Sequence, residues 1–257
     1  MKSFIVYALE GFPLVESGDD IPKMIVDTAM KNGLNLEDGD VVVAAQKIFS
    51  KSEGRVFRLE DVVPSGKAEE IAKFVGKSPR LVELVLRETK SILKVAREIL
   101  LVEDKRGLIC INAGIDKSNV KGTDSFALLP EDADRSAETC RARIMSLTGK
   151  NVAMIVCDTY SRPFRRGQVN FAIGLAGIKP FKDYRGKRDL FRQLLKVKNV
   201  AIADEIAAVA ELLMGQATEA TPVIIVRGLG GSVTFCEGCN ARELQISRDE
   251  DLFKNAL

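Results

Sequence analysis

Short apolar runs that alternate with helix-length segments set the fold class of this 257-residue chain. Brief apolar runs beside Gly, Asp or Asn turn signals predict strands at residues 4–9, 41–45, 108–111, 152–156 and 223–226. Apolar positions at helical spacing predict helices at residues 21–30, 66–74, 78–87, 133–148 and 204–214. This order predicts a mixed α and β protein. No repeat or low-complexity linker divides the chain, so residues 1–257 are treated as one unit without a marked lobe boundary.

The balance of charge and hydropathy excludes several classes of protein. Lys and Arg total 38 and Asp and Glu total 36, a net charge of +2 that indicates neither a nucleic-acid nor a membrane partner. No apolar stretch approaches the roughly 20 residues that span a bilayer. The N-terminal apolar run is too short for a signal peptide. We therefore expect a cytoplasmic protein.

The cysteines predict no disulfide framework. Five of them, an odd number, are spread over a long chain without a secretion signal. Cys236 and Cys239 form a lone C-x-x-C, which lacks the ligands of a structural zinc site unless other cysteines contribute. We expect reduced thiols, with Cys236 and Cys239 free in a loop between residues 228 and 240.

The chain contains no histidine, which limits its chemistry. Serine and cysteine nucleophile systems that rely on histidine are excluded, as are histidine general bases and histidine-rich zinc sites. Carboxylates, Lys, Arg, hydroxyls and bound metal remain. These groups serve phosphoryl and acyl-phosphate transfer, in which positioning and charge neutralisation supply most of the catalysis.

A charged run after the predicted strand at residues 152–156 is the first candidate site. Asp158 can hold a hard cation, and Arg162, Arg165 and Arg166 can bind phosphate or carboxylate groups. The alternative is a solvated arginine loop in which Asp158 caps the next turn. The run by itself leaves both interpretations open.

Two further polar segments follow predicted elements. Asp116 and Asn119 come after the strand at residues 108–111 and a glycine turn, and Asp116 can hold magnesium or manganese; a simple Asx turn is the alternative. Residues 214–218 follow a helix and contain Gly215, for which a helix stop is the alternative.

Two known nucleotide-binding motifs do not fit the sequence. The glycine that a P-loop needs before Gly76 is replaced by Ile71, and Val233 breaks a dinucleotide fingerprint after residue 228.

Taken together, these segments resemble the coenzyme F-420-0:L-glutamate ligase family, the gamma-glutamyl ligases of F-420 biosynthesis. The likeness covers most of the chain. It is carried by ordered blocks at residues 10–14, 18–20, 37–40, 50–55, 112–116, 158–159, 165–167, 183–186, 203–207 and 226–228.

The resemblance implies a GTP-dependent ligase that joins L-glutamate to the carboxylate of F-420-0 and adds a second glutamate by a gamma linkage. An acyl phosphate would be the intermediate, and GDP and phosphate the by-products. Two divalent ions, magnesium or manganese, and a potassium ion are implied. So is an intertwined homodimer with an α+β fold of its own, with mixed sheets, two closely associated lobes and no P-loop or Rossmann domain.

The resemblance also assigns site residues. Asp116 and Asp158 are implied as catalytic residues, and the metal ligands as Asp116, Asp158, Thr159 and Gln216. Implied nucleotide contacts are Gly11, Phe12, Pro13, Leu14, Gln46, Lys51, Asn119, Met214, Gly215, Ala217 and Thr218.

Two other functions stay open at this stage. A related ligase could add an amino acid to a different acidic acceptor, because no residue pattern here reads the flavin-like ring. Alternatively, the basic clusters at residues 162–166 and 179–192 could bind RNA phosphates. The near-neutral charge and 6% aromatic content favour the ligase.

Overall fold

The computed structural model describes residues 1–247 and 249–251. Over these residues the chain forms the α-helices α1 (Ile21–Lys31), α2 (Gln46–Ser52), α3 (Gly66–Val75), α4 (Pro79–Glu88), α5 (Ala133–Thr148) and α6 (Ile202–Met214). The strands are β1 (Ile5–Ala8), β2 (Val41–Ala45), β3 (Val56–Arg58), β4 (Thr89–Ala96), β5 (Ile99–Asp104), β6 (Ile109–Ile111), β7 (Ser125–Ala127), β8 (Ala153–Arg162), β9 (Arg165–Ala176), β10 (Lys182–Asp183), β11 (Asn199–Val200) and β12 (Val223–Arg227). The predicted α+β class with mixed sheets is confirmed. No helix in the described ranges is long and apolar enough to span a membrane.

Several helices begin and end where the sequence predicts because local caps fix their ends. The Asp132 carboxylate accepts a hydrogen bond from the backbone N–H of Arg135 at the start of α5, and Gly149 ends the helix in a left-handed conformation. Ser65 and Gly76 do the same for α3. These signals lie within a few residues of each helix end, so they can be read from sequence.

The chain divides into two compact units. The first unit comprises residues 1–14, 20–48 and 132–244, and the second comprises residues 15–19 and 49–131 together with the described residues 245–247 and 249–251. The chain therefore passes back and forth between the units. Their boundaries carry no linker composition, which explains why no lobe boundary is evident in the sequence.

The first unit is built on a five-stranded mixed sheet in the order β1-β12-β2-β8-β9. Only β2 and β8 are parallel, and the other neighbours are antiparallel. One face of the sheet packs against α6, where Ile206 and Ala210 meet Val43, Ile155 and Ile224. Helix α5 packs on β8 and β9 and also contacts α1. Helices α5 and α6 thus cover the apolar strands of the sheet.

Helix α5 and strand β9 approach each other unusually closely. A Cβ atom built on Gly174 would lie 2.2 Å from the carbonyl oxygen of Ala133, so only glycine fits at this position. The Asp134 carboxylate accepts hydrogen bonds from the backbone N–H groups of Leu175 (2.9 Å) and Ala241 (2.7 Å). Burial nevertheless raises the pKa of Asp134. The first turn of α5 is therefore fixed to two other segments of the unit.

The second unit combines helices α3 and α4 with the three-stranded sheet β4-β5-β6 and the pair β3-β7. Ala72, Val85 and Val102 belong to its apolar core. Beside this core lies a buried ionic group. The Glu88 carboxylate accepts hydrogen bonds from Arg55 (2.7 Å) and Arg106 (2.8 Å).

The charged run after residue 157 is a β-hairpin, which corrects the predicted end of the strand near residue 156. Strand β8 continues to Arg162, and β9 begins at Arg165. Pro163 and Phe164 form the turn, with Phe164 at a φ of 58°. The predicted strand end was wrong because cross-strand pairing, from Asp158 with Phe171 to Arg162 with Arg165, holds polar residues in extended structure.

The prediction of free thiols at Cys236 and Cys239 was also wrong, because the structure joins them in a disulfide. Their Cα atoms are 5.9 Å apart across the turn at Glu237, within the range that a disulfide spans. Glu237 accepts two hydrogen bonds from the buried Arg141 guanidinium, at 3.0 and 2.7 Å, which holds the turn in place. The remaining cysteines, Cys110, Cys140 and Cys157, are free and buried, as predicted for reduced thiols.

Candidate functional site

The ends of several strands meet at one edge of the five-stranded sheet. β1 and β2 point the same way because both are antiparallel to β12, and β8 is parallel to β2. The carboxyl ends of β1 and β2 therefore lie beside the amino end of β12. Ala45, the last residue of β2, pairs with Cys157, so β8 passes this edge at Asp158. We call the group formed by residues 9–14, 46, 158–159 and 214–223 the carboxyl edge.

Backbone hydrogen bonds hold these segments together. The N–H of Leu9 donates to the carbonyl of Val223 (3.0 Å), and the N–H of Ala45 donates to the carbonyl of Pro222 (2.9 Å). Most of the site residues named from the sequence lie in these segments: Gly11, Phe12, Pro13, Leu14, Gln46, Asp158, Thr159, Met214, Gly215, Gln216, Ala217 and Thr218. The first unit thus gathers residues that are up to 207 positions apart in sequence.

The turn at residues 11–14 combines anchoring with exposure. Phe12 is buried, whereas the Leu14 side chain is 90% exposed. The Asn32 side chain accepts from the N–H of Glu10 and donates to its carbonyl, both at 3.0 Å. Gln46, directly after β2, is a buried polar residue. This part of the carboxyl edge is a fixed turn that presents backbone and one apolar side chain.

The loop after α6 is held by its own side chains. The Glu219 carboxylate accepts from the N–H of Ala217 (2.8 Å), and the Thr221 hydroxyl donates to the carbonyl oxygens of Leu213 and Met214 at the end of α6. Backbone N–H groups of Glu219 itself and of Ala217 hold the pKa of Glu219 below its ordinary value. Gly215 ends α6, so the helix-stop interpretation is correct as far as local structure goes.

A hydrogen-bonded group of four polar side chains lies where α6 meets β8 and β9. The Thr159 hydroxyl donates to Asn170 Oδ1 (2.8 Å), and Asn170 Nδ2 donates to Glu211 Oε2 (2.7 Å). Gln216 Nε2 lies 2.7 Å from Glu211 Oε1 and 2.9 Å from Thr159 Oγ1 and donates to both. We call Thr159, Asn170, Glu211 and Gln216 the Thr159 cluster.

Burial shapes the electrostatics around the Thr159 cluster. Desolvation raises the pKa of Glu211, and the hydrogen bonds from Gln216 and Asn170 act in the opposite direction. Burial also raises the pKa of the adjacent Cys157 thiol, and the negative charges of Asp158 and Glu211 add to that shift. Cys157 is therefore a protonated, inert thiol, and the oxygen-bearing side chains dominate the chemistry of this region.

Asp158 and Thr159 point to opposite faces of the sheet. Side chains alternate along a strand, and Cys157 belongs to the core that α6 covers. Thr159 therefore shares the α6 face, whereas Asp158 lies on the other face with Met154 and Val156. Both groups offer oxygen donors, but they present them on different sides of β8.

The three predicted anion-binding arginines lie at the tip of the β8-β9 hairpin. Arg165 and Arg166 are exposed. Arg162 is half-buried, and its Nε is a buried atom that has no hydrogen-bond partner among residues 1–247 and 249–251. The tip of the hairpin is therefore positively charged.

The remaining predicted residues, Lys51, Asp116 and Asn119, belong to the second unit. Asp116 forms the Asx turn proposed as the alternative for this segment: Oδ1 accepts from the N–H of Ser118 (2.9 Å) and Oδ2 accepts from its hydroxyl (2.6 Å). Backbone pairing of Asp116 with Ala127 fixes the segment, and Asn119 adopts a positive φ of 54°. The Asp116 carboxylate is thus held within its own turn.

Sequence reasoning missed Asn170 and Glu211. Glu211 lies inside an amphipathic helix and Asn170 inside a strand, so neither belongs to a motif that stands out in sequence. Within the described ranges, acidic and thiol side chains by themselves form no metal-binding group of three or more. The predicted cation ligands of the carboxyl edge are of mixed type: the carboxylate of Asp158, the hydroxyl of Thr159 and the amide of Gln216.

Comparison of the sequence with known proteins finds a matching family. A family model described as F420-0:Gamma-glutamyl ligase matches residues 11–228. The chain is 44% identical over 252 residues to the Coenzyme F420:L-glutamate ligase of Archaeoglobus fulgidus, covering 98% of this chain and 97% of that protein. It is 42% identical over 247 residues to the Methanothermobacter thermautotrophicus protein of the same name, covering 96% and 97%. The Methanocaldococcus jannaschii protein of that name is 44% identical over 221 residues, which cover 86% of each chain.

Proposed function

Because this chain belongs to the F420-0:gamma-glutamyl ligase family, we propose that it joins L-glutamate to the carboxylate of coenzyme F420-0 in a GTP-dependent reaction in the cytoplasm. A second glutamate is then added through its gamma linkage. The observation that carries the proposal is the carboxyl edge. Twelve of the residues named as nucleotide and metal contacts come from four separate stretches of the first unit and lie at one edge of one sheet, whereas Lys51, Asp116 and Asn119 belong to the second unit.

The donor set of the carboxyl edge fits a hard divalent cation. Asp158 offers a carboxylate, Thr159 a hydroxyl and Gln216 an amide, which are the oxygen ligands that magnesium and manganese prefer. Asp158 and Thr159 lie on opposite faces of β8, which supports two cations rather than one. Asp116 of the second unit is the further proposed carboxylate ligand. When bound, the cations neutralise charge on the nucleotide phosphates.

The chain's own residues then have distinct roles. We assign nucleotide binding to the turn at residues 11–14, Gln46, Lys51, Asn119 and the loop at residues 214–218. Lys51 and the hairpin arginines offset negative charge on phosphate or on substrate carboxylates. Potassium and a homodimer belong to the same proposal.

The reaction proceeds in two steps. In the first, a carboxylate oxygen of F420-0 attacks the γ-phosphorus of GTP, which forms an acyl phosphate and releases GDP. In the second, the glutamate amine attacks the acyl carbon, an amide bond forms, phosphate leaves and the amine gives up its proton. The binding groups act mainly by holding reactants and neutralising charge.

A mass-resolved ligation assay tests the proposal. The protein is incubated with F420-0, L-glutamate, GTP and Mn²⁺, and each component is omitted in turn or replaced, GTP by ATP and F420-0 by another acidic acceptor. We expect F420 species heavier by one and two glutamyl residues, formed only when GTP and metal are both present. Product from another acceptor but not from F420-0 would refute the proposed acceptor.

Variants connect the activity to the site. Asp158→Asn and Asp116→Asn should each lower turnover by a factor on the order of 100, because a carboxylate ligand is lost. Asp61→Asn removes an exposed carboxylate of the second unit and serves as the matched control. Normal metal-dependent GTP turnover in both Asp158→Asn and Asp116→Asn would rule out the proposed metal ligation.

A further inference from the structure

Glu211 holds a central place in the Thr159 cluster without being one of the proposed cation ligands. It lies in the last turn of α6, and its two carboxylate oxygens accept from two different side-chain amides. Oε2 accepts from Asn170 Nδ2 and Oε1 accepts from Gln216 Nε2, each at 2.7 Å. Asn170 is almost fully buried at 2% exposure, so its amide has few alternative partners.

These contacts fix the orientation of both amides. An ionised carboxylate can only accept hydrogen bonds, so each amide must turn its NH₂ group toward Glu211. The carbonyl oxygens of Asn170 and Gln216 are then directed elsewhere. If Glu211 were absent, an amide flip would exchange donor and acceptor at nearly the same positions.

The orientation passes on to Thr159. Its hydroxyl has a single proton, which it donates to Asn170 Oδ1 at 2.8 Å, and it accepts from Gln216 Nε2 at 2.9 Å. One proton and one lone pair of Thr159 Oγ1 are thereby used, and its second lone pair remains for a cation. The carboxylate thus determines the direction in which the Thr159 oxygen can act as a ligand.

We propose that Glu211 is a positioning residue whose carboxylate orients Asn170, Gln216 and Thr159 so that the oxygens of Thr159 and Gln216 are presented to a divalent cation. The inference rests on the proposed function only in the identity of the bound group. Loss of a group that hydrogen-bonds to metal ligands typically changes metal affinity by about 10- to 100-fold.

Mn²⁺ binding by the full-length protein tests this directly. Binding is measured by calorimetry and by electron paramagnetic resonance, with and without GDP and without F420-0 or glutamate. Glu211→Gln should weaken Mn²⁺ binding at one site by about 10- to 100-fold, because its amide places a donor against one of the two NH₂ groups. Glu205→Gln, at an exposed position of the same helix, should bind Mn²⁺ like the unmodified protein.

A second substitution separates position from charge and guards against misfolding. Glu211→Asp keeps the negative charge but is shorter by one methylene, so it cannot reach both amides. We expect it to weaken Mn²⁺ binding as well. A Glu211→Asp protein that bound Mn²⁺ normally would show that charge alone matters and would overturn the positioning role.

Comparing single and double variants distinguishes a positioning role from a purely structural one. Because Glu211 acts partly through Gln216, the loss of Mn²⁺ affinity in the double variant Glu211→Gln/Gln216→Ala should be clearly smaller than the sum of the two single losses. Additive losses, unchanged binding in Glu211→Gln, or absence of Mn²⁺ binding in the unmodified protein with and without GDP would each overturn the proposal.

The outcomes also separate this inference from the proposed function. Glu211-dependent Mn²⁺ binding without ligation of glutamate to F420-0 would refute the activity and leave the positioning role intact. Normal ligation together with Mn²⁺ binding that Glu211→Gln leaves unchanged would refute the positioning role and leave the activity intact. In an active enzyme, Glu211→Gln should raise the KM for Mn²⁺ more than it lowers kcat at saturating metal.

Discussion

Removal of the Glu88 carboxylate should destabilise the protein far more than loss of an ordinary surface charge. Glu88 is 8% exposed and accepts from Arg55 and Arg106, and Arg106 in turn pairs with the fully buried Asp104 at 2.7 Å. Burial and the neighbouring carboxylates act oppositely on the pKa of Arg106, and the net result is a raised pKa. Arg106 therefore remains a charged group that loses one of its two carboxylate partners when Glu88 is replaced.

The size of the effect follows from those contacts. A buried ion pair that loses one partner leaves an uncompensated charge, at a cost of about 3–5 kcal/mol. Arg106 keeps Asp104, and Arg55 keeps a hydrogen bond to the carbonyl of Leu129, so we expect Glu88→Ala to cost about 3 kcal/mol. Glu88→Gln retains one acceptor oxygen and should cost less.

Urea denaturation followed by circular dichroism measures this difference. Glu70→Gln is the matched control, because Glu70 is an exposed glutamate of the same unit and should change the unfolding free energy by no more than about 0.5 kcal/mol. A loss below about 1 kcal/mol in Glu88→Ala would equal that of an exposed ion pair. The ionic group would then contribute nothing beyond surface electrostatics.

Three further changes should have measurable effects. Hydrogen bonds from Ser65, the residue that precedes α3, lower the pKa of Glu83, so its stabilisation is fully present above the unfolded pKa of about 4.3 and is lost as the pH falls through the lower folded pKa. The Tm deficit of Glu83→Gln should therefore be largest at neutral pH and shrink steadily as the pH is lowered below about 4. Gly174→Ala should lower the unfolding free energy by about 1–3 kcal/mol because the added Cβ meets backbone atoms, whereas Gly230→Ala, which has open space around it, should lower it by no more than about 0.5 kcal/mol. Equal losses in the two variants would contradict the close approach of α5 and β9. Alkylation of the native protein followed by mass spectrometry should label no thiol before reduction and two after it, at Cys236 and Cys239; labelling before reduction would disprove the disulfide. Replacing both cysteines by Ser should lower the unfolding free energy by about 2 kcal/mol or less, because the loop that the disulfide closes is short.

Local signals account for the parts of the fold that the sequence predicts well. Strand β2 is an unbroken apolar run after a turn, and α5 has a capping Asp132 and a terminal Gly149, so their limits depend on nearby residues. The strand pair β4-β5 and the long strand β9 were not predicted. Their limits depend on cross-strand partners and on a turn with a positive φ at Phe164, which propensity does not reveal.

The candidate site divides in the same way. Asp158 and Gly215 could be found because they follow apolar elements and match a resembled family. Asn170 and Glu211 meet over a separation of 41 residues, through a strand and a helix that each look ordinary. A hydrogen bond between two such positions leaves no periodic or compositional trace, so only coordinates reveal it.

The order in which the chain visits its two units has a consequence for folding. The parallel partners β2 and β8 are joined only after the whole stretch between Val41 and Ala153 has been made, most of it belonging to the other unit. Closing a loop of that length costs about 4 kcal/mol of chain entropy before the strand pair stabilises anything. During synthesis, the apolar strand β2 therefore lacks its parallel partner until β8 has been made, and the burial of β2 depends on β8.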